Sequence, residues 1–332
     1  MKPTIAITMG DPAGVGPEVL LRAVADKRVT RCCHPVVLGD GAILRHIARK
    51  IGLRGVVSKV IVHNLSYLNP ARIKPGRPYI SCGRAMVRYV EEAARLAMAG
   101  DVDAMVTGPI SKEAINRAGC PFPGHTEFLA SLTKSKDYAM MLGGRRLKVV
   151  LVTIHEPLRV VPRLLTEEKI LKTIRITDES FKEYLGFKRP RIAVAALNPH
   201  GGEGGLFGDE EVGIIGPAMK RARRLGIDVS GPHPPDTLFH RAAKGKEFDV
   251  VVSMYHDQGL IPLKLIHFED GVNVTLGLPV IRTSVDHGTA YDIAWQGSAS
   301  PDSMIAAIKM AAMMAGMKAG SEKAKAKTHT TV

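Results

Sequence analysis

The sequence predicts an α/β protein with a largely parallel sheet. Short apolar or β-branched runs bounded by Gly, Pro or Asp alternate with segments whose apolar residues recur every three or four positions. This alternation is typical of parallel strands joined through helices. Glycine-rich segments follow several of the predicted strands. Because open α/β sheets bind ligands beyond the carboxyl ends of their strands, we expect the functional site in these loops.

The predicted elements follow from local signals. The helix over 84–98 has apolar residues three and four apart and is followed by Gly100, a natural C-cap. The helix over 166–185 begins at Thr166, an N-cap residue followed by acids that favour the helix dipole. The strand candidates are 4–8, 35–38, 104–107, 147–153, 191–196, 250–253 and 273–276. The other helix candidates are 18–25, 213–225 and 303–314.

Size and composition indicate an ordinary globular protein. The 332 residues suffice for two domains or one large unit, and 45% of them are apolar. An uninterrupted apolar run of about 18 residues is missing from the sequence, so we expect no transmembrane helix. The first residues, MKPTIAITMGDPAG, predict a buried strand rather than a signal peptide. The four cysteines form no C-x-x-C pair, which favours reduced thiols and a cytoplasmic protein.

The net charge of +14 favours anionic partners. Lysines and arginines are spread along the chain, and the compact run at 318–327 predicts a solvated, disordered tail. Basic segments do not interleave with aromatic residues as stacking on nucleic acid requires. We therefore expect an anionic small molecule as the partner, with neither nucleic acid nor membrane binding.

Three histidines follow predicted strands and are candidate metal ligands. They are His155 in TIHEPLR, His200 in NPHGGEGG and His256 in MYHDQG. One such histidine is more often a hydrogen-bonded structural residue. Three of them favour a shared catalytic metal, because neutral imidazole is the commonest ligand for transition metals and three ligands leave a position open. They lie too far apart in the chain for a local zinc finger, so the fold would have to bring them together.

Other motifs leave alternatives open. MGDPAGVGPE, residues 9–18, lacks both G-x-G-x-x-G and G-K-[S/T], so it is either a tight strand-to-helix turn or a loop beside the substrate. In PFPGHTEFLA, His125 and Thr126 lie at a predicted helix start, which offers N–H groups to an anion. A satisfied structural histidine is the alternative there. Arg282 and Lys264 are either anion-binding cations or solvated surface residues.

Six motifs, in this order, resemble the 4-hydroxythreonine-4-phosphate dehydrogenase family. They are MGDPAGVGPE, GHTEFLA, NPHGGEGG, PPDTLF, MYHDQG and NVTLGLPVIRTSVDHGTAYDIA. The resemblance extends from residue 4 to about residue 308. It implies an NAD-dependent enzyme of pyridoxal phosphate biosynthesis. A sister group that acts on D-threonate or D-erythronate 4-phosphate shares almost every motif.

The resemblance implies a fold like that of the isocitrate and isopropylmalate dehydrogenases, which bind NAD without a Rossmann fingerprint. Two α/β domains would flank a cleft. The first would comprise 1–130 with 275–318, and the second, 131–274, would carry a homodimer interface. Residues 319–332 have no counterpart and are expected to be a disordered basic tail.

The resemblance also assigns residues to roles. The metal ligands, drawn from both subunits, fall on His155, His200 and His256, and the divalent metal would be zinc, cobalt or magnesium. Substrate contacts fall on His125, Thr126, Lys264, Asn273 and Arg282. The loop HGTAYDIAWQG is similar to the one that holds the adenosine end of NAD or NADP in the isocitrate and isopropylmalate dehydrogenases, and it gives His287, Gly288, Thr289, Ala290 and Asp292.

The chemistry implied is oxidation of 4-phosphohydroxy-L-threonine at carbon 3, followed by decarboxylation to 3-amino-2-oxopropyl phosphate. Asp257 and Asp236 are candidates for the base or for orienting a metal ligand, and Lys264 is a third catalytic candidate. The nearest alternative is the same chemistry on D-threonate or D-erythronate 4-phosphate, which yields dihydroxyacetone phosphate. A basic nucleic-acid-binding protein and a phosphate-binding protein without turnover are the alternatives from other classes.

Overall fold

The computed structural model describes the backbone of residues 2–329 and the side chains as far as Glu322. The chain divides into two compact units. Unit 1 comprises Met1–Lys136 with Leu278–Val332, and unit 2 comprises Asp137–Gly277. The predicted domain boundaries, at 130 and 274, fall a few residues before these two positions. Within the described residues no helix is both long and apolar enough to cross a membrane.

Strands and helices alternate through most of the described chain. The strands are β1 (Thr4–Thr8), β2 (His34–Gly39), β3 (Ile61–Asn64), β4 (Ala104–Thr107), β5 (Ala139–Gly143), β6 (Lys148–Leu151), β7 (Ile192–Ala195), β8 (Val229–His233), β9 (Val250–Ser253), β10 (Val272–Leu276) and β11 (Arg282–Val285). The helices are α1 (Gly16–Ala25), α2 (Lys27–Cys32), α3 (Gly41–Lys50), α4 (Ile80–Ala99), α5 (Lys112–Arg117), α6 (His125–Leu132), α7 (Val161–Leu164), α8 (Glu167–Tyr184), α9 (Gly216–Arg224), α10 (Pro235–Ala243), α11 (His256–Ile266) and α12 (Asp302–His329).

The strands of unit 1 are all parallel, in the order β3-β2-β1-β4-β11. Ile7 at the centre pairs with Val37 on β2 and with Val106 on β4, and all three side chains are fully buried. Strands covered on both faces need continuous apolar runs, which is what TIAIT and PVVLG supply. Helices α4 and α12 pack against this sheet.

The strands of unit 2 are mixed, in the order β10-β5-β6-β9-β7-β8. The pairs β10–β5 and β5–β6 are antiparallel, and the pairs β6–β9, β9–β7 and β7–β8 are parallel. The core of this unit gathers Leu151, Ala193, Phe239, Val251 and Leu263 from three strands and two helices. Because β6, β9 and β7 are parallel neighbours, the segments that follow them leave the sheet at one edge.

Several elements differ from the sequence-based expectation. Strand β5 (AMMLG) carries no β-branched residue, so its strand character comes from burial between β10 and β6 rather than from propensity. Strand β11 (RTSV) is polar yet fully buried. Helix α12 runs to His329, so the predicted disordered tail is helical from 319 to 329, as alanine, lysine and glutamate favour. The last residues of that predicted tail, 330–332, lie outside the described residues.

Candidate active site

Unit 2 brings two of the three candidate metal ligands together. The ring centroids of His155 and His256 lie 5.6 Å apart, with the ring planes inclined by 41°. His155 follows β6 and His256 begins α11 directly after β9, and Leu151 pairs with Ser253 where these parallel strands end. The hydroxyl of Thr153 donates to the carbonyl of Met254 at 2.7 Å, and this bond links the segments that follow the two strands. The sheet register therefore places both imidazoles at one edge.

The ring of His256 is oriented by its neighbour. Its Nδ1 lies 2.7 Å from Oδ1 of Asp257, so the carboxylate accepts the Nδ1 proton and leaves Nε2 for a ligand. Such a hydrogen bond is usual for a histidine that binds a metal. The carboxylate itself is 71% exposed, so solvent weakens its hold on the ring.

His200 lies in a turn of unusual backbone, Pro199–Gly205, which follows β7. Five successive residues from 200 to 204 have positive φ, and two of them, His200 (φ 53°) and Glu203 (φ 44°), are not glycine. A left-handed conformation costs a non-glycine residue about 1–2 kcal/mol. Strain of this kind persists where the surrounding structure enforces it, and it is concentrated at functional sites.

The three predicted metal ligands do not form one cluster in the chain. Across the part that the structure describes, no group of three His, Cys, Asp or Glu side chains is placed to hold a metal ion. The exposed ring of His200 lies 6.2 Å from that of Phe207. A single chain therefore brings His155 and His256 together, but it does not bring all three histidines into one site.

The other predicted residues of unit 2 lie on separate elements. Lys264 is half-buried on α11, with Nζ 5.6 Å from the ring centroid of Phe268. Asn273 lies in β10 and pairs with Leu142 of β5. Asp236 is exposed in the first turn of α10. The structure thus places Lys264 on the helix that His256 begins, two turns further along.

Unit 1 contains a buried cation at the start of β11. The side chain of Arg282 is only 2% exposed, and its Nη2 donates to the hydroxyl of Thr107 at 2.7 Å. Burial lowers the pKa of Arg282 to about 9, although the nearby charge of Glu127 opposes the shift. The guanidinium is still protonated at neutral pH. A buried guanidinium is suited to a phosphate or carboxylate, which it binds through charge-assisted hydrogen bonds.

His125 and Thr126 form the first turn of α6, close to that cation. The ring Nε2 of His125 is buried and has no hydrogen-bond partner among the described residues. Burial, and then the charges of Arg282 and Lys112, lower the pKa of His125 well below its ordinary value. The imidazole is therefore neutral, and its Nε2 can bond to a ligand. The helix N-terminus adds free N–H groups of positive potential.

We predict that His125 makes the stability of the protein pH-dependent. Its folded-state pKa is depressed, so below 6.5 the unfolded chain binds a proton that the folded chain does not. The free energy of unfolding should therefore fall with decreasing pH, at most by about 1.4 kcal/mol per pH unit. Urea unfolding of the wild type and of His125→Gln between about pH 5 and 7 measures this slope. Equal slopes in the two proteins would contradict the prediction.

The predicted cofactor loop is held by the 9–18 segment. The carbonyl of Thr289 accepts from the N–H of Val15 at 2.9 Å. The hydroxyl of Tyr291 donates to Asp11 Oδ2 at 2.5 Å, and burial raises the pKa of Asp11. Farther along, the indole N–H of Trp295 donates to the carbonyl of Pro12 at 3.0 Å. MGDPAGVGPE thus includes the turn between β1 and α1, and this turn supports the predicted cofactor loop.

Glu18 completes this support from the start of α1. Its fully buried carboxylate accepts from the N–H groups of Gly297 at 3.1 Å and Ala299 at 2.9 Å. Ala290 has φ 40°, so the loop bends in a left-handed conformation at its centre. His287, Gly288 and Asp292 are exposed, which leaves them accessible to a ligand.

Sequence reasoning did not assign roles to several residues that build these sites. Asp11, Glu18 and Tyr291 fix the cofactor loop, and Thr107 contacts Arg282. Asp11, Glu18 and Tyr291 lie in recognisable motifs, but their contacts join segments far apart in the chain, such as Tyr291 with Asp11, 280 residues away. A local pattern contains no signal for such pairs.

Comparison with known proteins identifies relatives over almost the whole chain. The family model described as "Pyridoxal phosphate biosynthetic protein PdxA" matches residues 31–311. The 4-hydroxythreonine-4-phosphate dehydrogenase of Geobacter metallireducens is 55% identical, over 96% of this chain and 97% of the relative. The D-threonate 4-phosphate dehydrogenase of Pectobacterium atrosepticum is 45% identical, over 95% of this chain and all of the relative.

Solved structures agree with the predicted fold class. A 4-hydroxythreonine-4-phosphate dehydrogenase from Klebsiella pneumoniae superposes with a TM-score of 0.86 at 42% identity, covering 95% of this chain and 100% of that one. A β-decarboxylating dehydrogenase from Thermococcus kodakarensis superposes with a TM-score of 0.50 at 17% identity, covering 96% and 83%. The second similarity concerns the fold alone. Together they confirm the predicted α/β fold class.

Proposed function

Because the chain belongs to the PdxA family of pyridoxal phosphate biosynthetic proteins, we propose that it is an NAD-dependent, metal-dependent dehydrogenase of 4-phosphohydroxy-L-threonine. It would oxidise carbon 3 and release carbon dioxide, giving 3-amino-2-oxopropyl phosphate. The observation that carries the substrate assignment is the 55% identity to a relative of that name, against 45% to a D-threonate 4-phosphate dehydrogenase. D-threonate or D-erythronate 4-phosphate is the second candidate substrate.

The residues present fit a divalent metal. His155 and His256 offer two adjacent imidazoles, and the Nδ1 contact with Asp257 keeps Nε2 of His256 available. We propose that His200 completes the ligand set across a homodimer, since one chain does not bring the three together. Imidazole ligands favour zinc or cobalt over magnesium. When bound, the metal supplies Lewis-acid polarisation of the substrate hydroxyl.

We assign the charged ends of the substrate to cations and N–H groups of this chain. Arg282, neutral His125 and the first turn of α6 with Thr126 would bind phosphate or carboxylate, and the contact with Thr107 holds the guanidinium in place. Lys264 and Asn273 are further proposed contacts. The loop with His287, Gly288, Thr289, Ala290 and Asp292 would bind NAD, or NADP, on the support of Asp11 and Glu18.

A proton must leave the hydroxyl as hydride leaves carbon 3. Asp257 accepts from His256 Nδ1, so we propose that it orients that ring. Asp236, exposed on α10, and Lys264 are then the proposed bases. The pH profiles of kcat for Asp236→Asn and Lys264→Met would distinguish the two candidates. Only replacement of the true base should remove the fall in kcat at acidic pH.

An exposed apolar face supports the homodimer. Leu265 is 84% and Phe268 76% exposed, and Ile261 lies one turn before Leu265 on α11. Leu206 and Val212, beside the His200 turn, are also exposed. Exposed apolar side chains at helical spacing, such as Ile261 and Leu265 on α11, are typical of an interaction surface. We propose that a second copy of the chain covers them.

Leu265→Asp should therefore shift the protein from dimer to monomer and lower its metal content, because the charge would have to be buried at the interface. Sedimentation equilibrium with metal analysis measures both. Leu225→Asp, at an equally apolar exposed position after α9, is the matched control and should stay dimeric. If the Leu265→Asp protein remains dimeric, α11 is not part of the proposed homodimer interface.

The proposed function is tested by NADH formation with three substrates in parallel. 4-Phosphohydroxy-L-threonine, D-threonate 4-phosphate and D-erythronate 4-phosphate are each offered with NAD and Zn²⁺ or Co²⁺. We expect the highest kcat/KM with the first. A higher value with either of the other two would transfer the assignment to the second candidate, and no turnover with any would favour a binding protein.

The cysteine usage also leads us to propose a cytoplasmic enzyme.

A further inference from the structure

We infer that Glu211 is a positioning residue that holds the His200 turn in its metal-binding conformation. The inference rests on the proposed function and assigns a role to a side chain outside the predicted site. Glu211 begins the π-helical turn Glu211–Ile215, and its side chain is only 5% exposed. Its carboxylate faces the segment that connects β7 to His200.

The carboxylate bonds to that segment three times. Oε1 accepts from the backbone N–H of Leu197 and from that of Asn198, each at 2.8 Å. Oε2 accepts from the side-chain amide of Asn198 at 3.0 Å. Only a carboxylate offers two oxygens that both accept and neither donates. The two residues that lead into Pro199 and His200 are therefore fixed by one side chain.

The backbone of the His200 turn also packs directly against Glu211. A Cβ on Gly202 would lie 2.6 Å from Glu211 Oε2, and a Cβ on Gly208 would lie 2.3 Å from Nδ2 of Asn198. Glycine is thus required at both positions for the backbone to approach. The segment on either side of His200 is in this way held against Glu211 and Asn198.

This contact explains how His200 keeps a left-handed backbone. A left-handed backbone is unfavourable for a residue other than glycine and needs neighbours that enforce it. If Glu211 no longer fixed residues 197 and 198, the turn could relax to a negative φ at His200 and carry its imidazole elsewhere. The affinity for the metal would then fall although all three histidines are present.

The test is a Co²⁺ titration of metal-free dimer, followed by the visible absorption of the bound ion. Glu211→Gln replaces one accepting oxygen by an NH₂ group that faces N–H donors. We expect its Co²⁺ affinity to fall by about 10- to 100-fold, as for other residues that orient metal ligands. Glu210→Gln is the matched control. Among the residues that the structure describes, Glu210 accepts from Asn198 Nδ2 alone, at 2.6 Å, and glutamine keeps an oxygen for that bond, so its affinity should match the wild type.

The outcomes separate this inference from the proposed function. If His200→Ala binds Co²⁺ as tightly as the wild type, the proposed metal site is wrong. If His200→Ala loses the ion but Glu211→Gln retains full affinity, only the role of Glu211 is overturned. A purely structural role would lower the melting temperature of the metal-free protein and leave the affinity of the folded protein unchanged. Should Glu211→Gln not fold, Glu211→Asp replaces it, and wild-type affinity in that variant overturns the inference.

Discussion

Replacing His256 by alanine is expected to lower kcat by at least about 10³-fold and to remove most of the bound metal. His256 is one of the two imidazoles that the chain places together, and its ring is held by Asp257 at 2.7 Å. Loss of a ligand weakens metal binding and with it the polarisation of the hydroxyl, which is worth several kcal/mol in the transition state. Steady-state kinetics and metal analysis on the same preparation measure the two effects.

His240→Ala is the matched control for this prediction. His240 is an exposed histidine of the same unit, on α10, and none of the proposed roles involves it. Its variant should keep wild-type kcat and metal content. Full metal content in His256→Ala would remove that histidine from the ligand set, and wild-type turnover without metal would end the proposal of a metal-dependent reaction.

Arg282→Met should raise the KM for the phosphorylated substrate by about 30- to 150-fold and leave the KM for NAD nearly unchanged. The guanidinium is buried and charged at neutral pH, so the proposed anion would bind to it where solvent does not compete. A bond to a charged group that is lost in this setting costs about 2–3 kcal/mol. Methionine fills much of the space without the charge.

Thermal unfolding without ligand separates binding from folding in this variant. Burial of the Arg282 charge opposes folding, so Arg282→Met should unfold at or above the wild-type temperature. Arg282→Lys keeps a charge but loses the planar fork and should give an intermediate KM. An equal rise in both KM values would place Arg282 outside the substrate site.

The sequence predicted the parts of the fold whose signals are local. The buried runs of β1, β4 and β9 and the cap signals of α4 and α8 were recognisable because burial on both faces and free helix ends select particular residue types. Strand β5, with its methionines, carries no such signal, and its place between β10 and β6 follows from packing.

The candidate site also contains features that local sequence predicts and features that depend on packing. That His155, His200 and His256 each follow a strand is predictable from local sequence, because a strand and its end are encoded by neighbouring residues. Three further features became visible in the folded chain: His155 lies beside His256, Arg282 is buried against Thr107, and Glu211 bonds to the segment before His200. The order of strands and the burial of a charge depend on contacts between distant segments, whose free energies no local pattern specifies.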